Sequence, residues 1–490
     1  MRINGSRHAI AAYALGLLVL GTGQAAHAKA SNEKIPITTS SEEARQLFVN
    51  GRDLSEKLRA TDARKLYEQA VAKDANFAMG YVGLANTAPT GKDFFEAVRH
   101  AVARADKVSE GERLVIQGLE AQAKGEPARQ KDILTKLVKA YPNDERAHTL
   151  LGVFYFGQQD YPAAIASLKK AATINPEFSA PLNQLGYAYR FVEKYKESEQ
   201  TLKKYIDLIP NDPNPYDSYA ELLMRTGRFE ESIKSYEKAL SIDPNFVASY
   251  VGIGNDQIFM GKTEDARRSF AKLASIARND GEKRTAHFWS AISYVYDGDT
   301  KKALAEIEKN AQIAETAKDL GTLAGDFNFM ANLLLEAGHP DQALVKFKAQ
   351  LETSDKADLP AEVKEAIHRN FLFNEGLVAL AQNDLGKAKA NAKEYAAKVA
   401  VKKVPFQIRQ THELAGRIAL AEKQYAAAAK ELAQANRQDP RVLYLLGTAY
   451  KGSGDSKKAH ELFTKTAEWN SLAPNLAYVR SKAKEVLSRK

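Results

Sequence analysis

Cysteine is absent from all 490 residues, which excludes disulfides, thiolate nucleophiles and thiolate metal sites at once. Beyond residue 28 no apolar run reaches the roughly 18–20 residues that a membrane-spanning helix requires, so the remainder is expected to be soluble. The nine histidines bring no alternative chemistry. His412-Glu413 is not followed by the second histidine of a zinc-protease helix, and His287, His339, His368 and His460 have no partner at metal-ligand spacing. Gly252-Ile253-Gly254 lacks the third glycine and the preceding strand of a dinucleotide site, and Gly452-Ser453-Gly454 reads as an interhelical turn. Strong basic clustering is missing too, which argues against nucleic acid. No enzyme, cofactor or metal site is expected.

What is present begins with Arg2 and Arg7 ahead of an apolar run from Ala9 to Leu20, closed by the small pair Ala26 and Ala28. This is the layout of a secretory signal peptide over residues 1–28, cleaved after Ala28, with Ala28-Lys29-Ala30 offering a second triplet of the same kind. Those residues hold two arginines and no acid, so their loss lowers the net charge from +9 to +7. The expectation is a bacterial periplasmic or secreted protein with a short linker over 29–43.

The middle of the chain carries a comb. Gly118, Gly152, Gly186, Ala220 and Gly254 are each 34 residues apart, as are Pro142, Pro176, Pro210 and Pro244. A chain of this length exceeds a single core, and a fixed period of this size means one supersecondary unit stacked many times. Within a unit the spacing predicts two helices. Leu151, Gly152 and Tyr155 share a face of the first, and Ala164, Leu168 and Ala171 share a face of the second. A small residue at Gly152 lets two antiparallel helices approach closely, and the large neighbours fill the space around the crossing. The next units repeat this with Leu185, Gly186, Tyr189, Ser198, Leu202 and Tyr205, then Tyr219, Ala220, Leu223, Ser232, Tyr236 and Ala239.

An apolar residue followed by Gly or Ala, an aromatic three further on, then Ala, an aromatic or Leu, Ala and a closing Pro resembles the tetratricopeptide repeat family. The resemblance implies an all-α, right-handed solenoid of helix-turn-helix repeats. Extending the comb outward gives twelve candidate units: a regular array over 44–278, irregular units over 279–404, a sharp pair over 405–473 and a capping helix over 474–490. The added residues at 279–404 lengthen helices or connections, where a local joint in the solenoid is expected.

The same resemblance places a partner on the concave face, lined by first helices at positions not used for packing. These are Phe156, Asn183, Tyr187, Arg190, Asn214, Asp217, Asn255, Asn328 and Asn332. Side-chain amides both donate to and accept from a peptide unit, so recurring asparagines suit an extended backbone. The family's carboxylate clamp is incompletely matched: Asn332 and Asn374 take its Asn positions, but Asn328 and Gln410 stand where cations belong. The reading is an exported, non-catalytic scaffold binding a protein or peptide. The alternative is an accessory subunit of an envelope polysaccharide or enzyme system, docking an anionic polymer through Lys387, Lys389, Lys393, Lys398, Lys402 and Lys403.

Overall fold

The computed structural model describes residues 34–489, which are helical throughout their ordered elements, with no strand among the described residues. Residues 1–28, where a signal peptide is expected, lie outside them. Twenty-four helices form twelve antiparallel pairs. In chain order these are α1 and α2 (Glu42–Glu56, Ala60–Lys73), α3 and α4 (Ala78–Asn86, Gly91–Val102), α5 and α6 (Glu110–Ala123, Pro127–Ala140), and α7 and α8 (Glu145–Gly157, Tyr161–Ile174). Then come α9 and α10 (Ala180–Phe191, Tyr195–Leu208), α11 and α12 (Pro213–Arg225, Phe229–Ile242), α13 and α14 (Val247–Phe259, Thr263–Ile276), and α15 and α16 (Asp280–Tyr296, Thr300–Thr316). The last are α17 and α18 (Leu320–Glu336, Pro340–Lys356), α19 and α20 (Ala361–Ala381, Leu385–Lys402), α21 and α22 (Pro405–Ala421, Tyr425–Leu432), and α23 and α24 (Pro440–Gly452, Ser456–Ala467). A 3-10 turn, Pro474–Tyr478, and α25 (Arg480–Ser488) end the chain, α25 packing on α24 as the expected cap.

Local chemistry starts and stops many of the helices. Asp144, Asp160 and Asp439 accept from backbone N–H groups at helix starts, and Ser109 with Glu112 forms a full capping box. First helices end on a left-handed residue at Gly125, Gln159, Glu193, Gly227 and Gly261, again 34 apart. The following amide closes the turn, as Asp160 N donates to Tyr155 O at 2.9 Å and Lys194 N to Tyr189 O at 2.9 Å.

The small comb position does what the spacing implies. A Cβ on Gly152 would stand 2.7 Å from Leu168 Cγ, so Leu168 of the second helix closes over it, beside fully buried Ala164. Two residues before the comb position Gly254, Gly252 meets the preceding unit instead, because a Cβ there would lie 2.0 Å from the ring of fully buried Tyr236. Gly252→Ala is therefore expected to cost ~1–3 kcal/mol, the usual range for overpacking. Urea unfolding followed by far-ultraviolet circular dichroism measures this, and an unchanged midpoint would refute it.

First helices of adjacent units touch one another, as α7 with α9, α9 with α11, α11 with α13 and α13 with α15, which places them on the inside of the coil. The coil closes on itself with an offset of seven units. In unit 1, Thr61 Oγ1 donates to Glu282 of unit 8 at 2.8 Å, and Asp62 pairs with Arg278 at 3.2 Å. Helix α4 of unit 2 packs on α17 of unit 9, and Arg99 pairs with Asp358 just beyond unit 9 at 3.0 Å. Units 3 and 10 face each other across a cleft of about 870 Å³ lined by Phe94, Pro127, Val363 and Phe406. Glu193 of unit 5 pairs with Lys465 of unit 12. The second superhelical turn thus stacks on the first. The extra residues at 279–404 appear as longer helices, 17 to 21 residues against 14 in α8, α10 and α12, and the seven-unit offset is kept across them.

Candidate partner-binding groove

Polar residues of the first helices are joined from unit to unit. Arg190 Nη1 donates to Glu221 Oε2 at 2.9 Å while its guanidinium lies 4.4 Å from the Tyr187 ring centroid. The Tyr187 hydroxyl donates to Glu221 at 3.1 Å. Asn214 donates to the Tyr205 hydroxyl at 2.8 Å, and Ser249 donates to Asp217 at 2.7 Å. Asn255 donates to the Val251 carbonyl at 2.9 Å. Asn183, Arg190, Asn214, Asp217 and Asn255 are all buried, and Asn183 keeps a side-chain oxygen without a partner. Phe156 packs edge-on to Tyr161 and Phe191. Asn332 donates to the Asn328 carbonyl at 2.8 Å, and Asn374 reaches the Asn328 side-chain oxygen at 3.4 Å. The polar groups of these positions are largely spent within their own helices or on neighbouring repeats.

Two carboxyl groups on the first helices α11 and α13 are out of water. Burial pushes Asp217 up to about 8, with Glu221 adding repulsion and Ser249 partly opposing it. Burial also pushes Asp256 up to about 8, and both of its oxygens lack hydrogen-bond partners. The hydroxyl of fully buried Tyr236 is unpaired as well.

The groove also holds something the repeat pattern did not announce. After α24 the chain leaves helical geometry over residues 468–473 and runs along the inner ends of α11, α13 and α15. Trp469, 5% exposed, packs with Leu443 and Leu476 and against Phe259 and Tyr296. The Arg225 guanidinium covers its ring at 4.3 Å. Leu472 packs against the Ala220, Met224 and Tyr236 cluster and against the Val251, Leu273 and Ala286 cluster. Tyr478 joins the Ala291 and Met330 cluster, and the Arg480 guanidinium lies 4.5 Å from the Phe259 ring while donating to Asn470 at 2.8 Å. A run of Trp469, Leu472, Leu476 and Tyr478 broken by Pro474 was the available signal, since apolar residues in a helix-poor stretch need another surface.

The lysine stretch is mostly paired. Lys387 meets Glu375 at 3.0 Å, Lys389 meets Glu422 at 2.5 Å, Lys398 meets Glu394 at 3.3 Å and Lys402 meets Glu365 at 2.8 Å. Lys393 and Lys403 have no ion pair among the described residues. His287, His368 and His412 each meet one carboxylate, Glu306, Asp355 and Glu431, and no cluster of three or more metal-ligating side chains occurs among the described residues. No described helix is long and apolar enough to cross a membrane.

Family profiles described as tetratricopeptide repeat match residues 117–177 and 180–212, and one described as TPR repeat matches 220–255. The chain carries tetratricopeptide repeats over residues 117–255. Comparison with curated protein sequences returns no match. Among solved structures, MamA is 26% identical over 32% of this tetratricopeptide chain and 91% of its own, with a TM-score of 0.28. A tetratricopeptide repeat protein from Parabacteroides merdae is 16% identical over 54% of this chain and 98% of its own, with a TM-score of 0.36. A chain of the APC/C hetero-tetramer Cut9–Hcn1 is 12% identical over 86% of this chain and 76% of its own, with a TM-score of 0.43.

Proposed function

We propose that this protein is an exported, non-catalytic scaffold that holds a protein partner by a non-helical segment laid along its inner groove. One observation carries the reading: the groove formed by α11, α13 and α15 already accommodates a non-helical stretch, residues 468–473. Side chains supply the anchorage, because the amides of Asn470 and Ala473 bond within the segment itself, to Glu468 and Ser471. A groove that grips side chains while leaving the backbone free selects residue types at set spacings. Export rests on the residue pattern at 1–28. The second reading, an anionic polymer, is left with Lys393 and Lys403 as its unpaired cations.

Crosslinking mass spectrometry on the native envelope fraction tests the reading. Partner crosslinks are expected at Lys465, at the rim of the groove, and not at Lys169 or Lys238 on the second helices α8 and α12. Crosslinks confined to those outer lysines would sink it.

A further inference from the structure

We infer that residues 468–480 are a resident occupant of the partner groove, and that the partner displaces them with a segment bearing an aromatic residue, an aliphatic residue three positions later and a flanking carboxylate. The inference rests on the groove being the partner site and adds what enters it and what must leave.

Three observations support displacement. First, the segment is bound by side chains set in separate clusters, Trp469 in one and Leu472 in others, with no regular backbone ladder to the groove. Second, its docking is imperfect in polar terms. Arg225 Nη1 and Tyr236 Oη on the groove, with Tyr478 Oη and Arg480 Nη1 on the segment, are buried without partners. Each such group weakens the closed state, because its lost hydration is not replaced. Third, the segment leaves a neighbouring charge site unused. A cleft of about 310 Å³ beside Trp469 is lined by Arg190, Arg225, Arg437 and Lys465, with Glu193 as its one lining carboxylate. Arg190 is committed to Glu221 and Lys465 to Glu193, which leaves the guanidinium groups of Arg225 and Arg437 without an anion among the described residues. The residue just before Trp469 is Glu468, yet it is exposed and pairs with none of them.

A competing segment that repeats the aromatic and aliphatic anchors and also directs a carboxylate to Arg225 and Arg437 therefore gains a charge-assisted contact that the resident segment lacks. The acidic character of the partner segment follows from that surplus of guanidinium groups. The spacing of three follows from Trp469 and Leu472 themselves.

The probe is a fluorescein-labelled peptide with the sequence of residues 468–480, added to the full chain. Wild-type protein is compared with a Trp469→Ala/Leu472→Asp variant, whose own segment is released. The variant is expected to bind the peptide at least tenfold more tightly than wild type, and Arg437→Glu in the released background should reverse the gain from placing a second acidic residue before the tryptophan. Equal binding by wild type and variant, or no binding by a variant that keeps its helical circular dichroism, would overturn the inference. If the double variant loses that signal, Leu472→Ala is used with the same two criteria. Dimerisation of wild type in which the segment protects the groove of a second copy would also overturn it, assigning the groove to self-exchange. Failure of the peptide leaves the envelope crosslinks free to place a partner in the groove, so the two readings fail separately.

Discussion

Arg441→Met is expected to lower stability by ~3–5 kcal/mol, the range for removing one partner from a buried ionic cluster. Arg441 sits at the start of α23 and ties three repeats together. Its Nη1 lies 3.0 Å from Glu336 at the end of α17, and its Nη2 lies 4.0 Å from Glu413 in α21 and 3.9 Å from Asp439 at the α23 cap. Burial works to raise Glu413, yet Arg417 and Arg441 together hold it below the ordinary carboxylate range. Burial raises Asp439 despite the same arginine. Methionine fills much of the volume and leaves these carboxylates facing one another without their common counter-charge. The cost should be regional, because repeat arrays unfold through nearest-neighbour contacts. Hydrogen exchange should therefore rise first in α21, α23 and the docked segment 468–480. Adding Glu336→Gln is expected to recover part of the loss, since Arg441 is the one cation paired with Glu336 among the described residues. Unchanged exchange in α23 would show that the cluster is dispensable.

The repeat itself was legible because packing forces small residues to recur. Gly152 under Leu168 and Gly186 under Leu202 cannot take a Cβ without displacing a buried side chain, so the period stands out in the residue identities. The left-handed turn position recurs just as strictly, but Gln159 and Glu193 occupy it beside Gly125, Gly227 and Gly261, so residue identity hides it. The seven-unit closure was not legible for a related reason. Its contacts, such as Thr61 with Glu282 and Lys465 with Glu193, join polar residues separated by more than 200 positions, and no periodicity relates them. Superhelical radius is set by small rotations accumulated over many units rather than by any one residue. That radius decides the environment of the inner positions. Asn214 and Asp217 were expected on a concave face, and contacts with Tyr205 and Ser249 of the adjacent repeats accompany the burial of both.

Stability is expected to fall as pH rises from about 4 to about 8, a direction set by Asp217 and Asp256. Both have folded-state values pushed up to about 8 by burial, against an ordinary value of 3.8. Below that ordinary value the folded and unfolded chains both hold these protons, and no penalty exists. Between the two values the unfolded chain has released them and the folded chain has not. Each proton retained costs up to ~1.4 kcal/mol per pH unit, and the loss levels off once the folded carboxyls ionise. The depressed carboxylates Asp74, Glu145 and Glu282 act in the opposite sense, but they titrate at the acidic end, below their ordinary values. Burial also lowers His148, whose contribution rises with pH near neutrality. Comparison with variants removes it, since His148 is common to all. Asp217→Asn retains an oxygen to accept from Ser249, and Asp256→Asn replaces a carboxyl that has no hydrogen-bond partner. Each variant is expected to match wild type at pH 4 and to exceed it progressively as pH rises to 8, by at most the ~1.4 kcal/mol per pH unit that the linkage sets. Urea midpoints across this range provide the measurement. A variant offset that stays constant from pH 4 to pH 8 would show that neither carboxyl titrates abnormally in the folded chain.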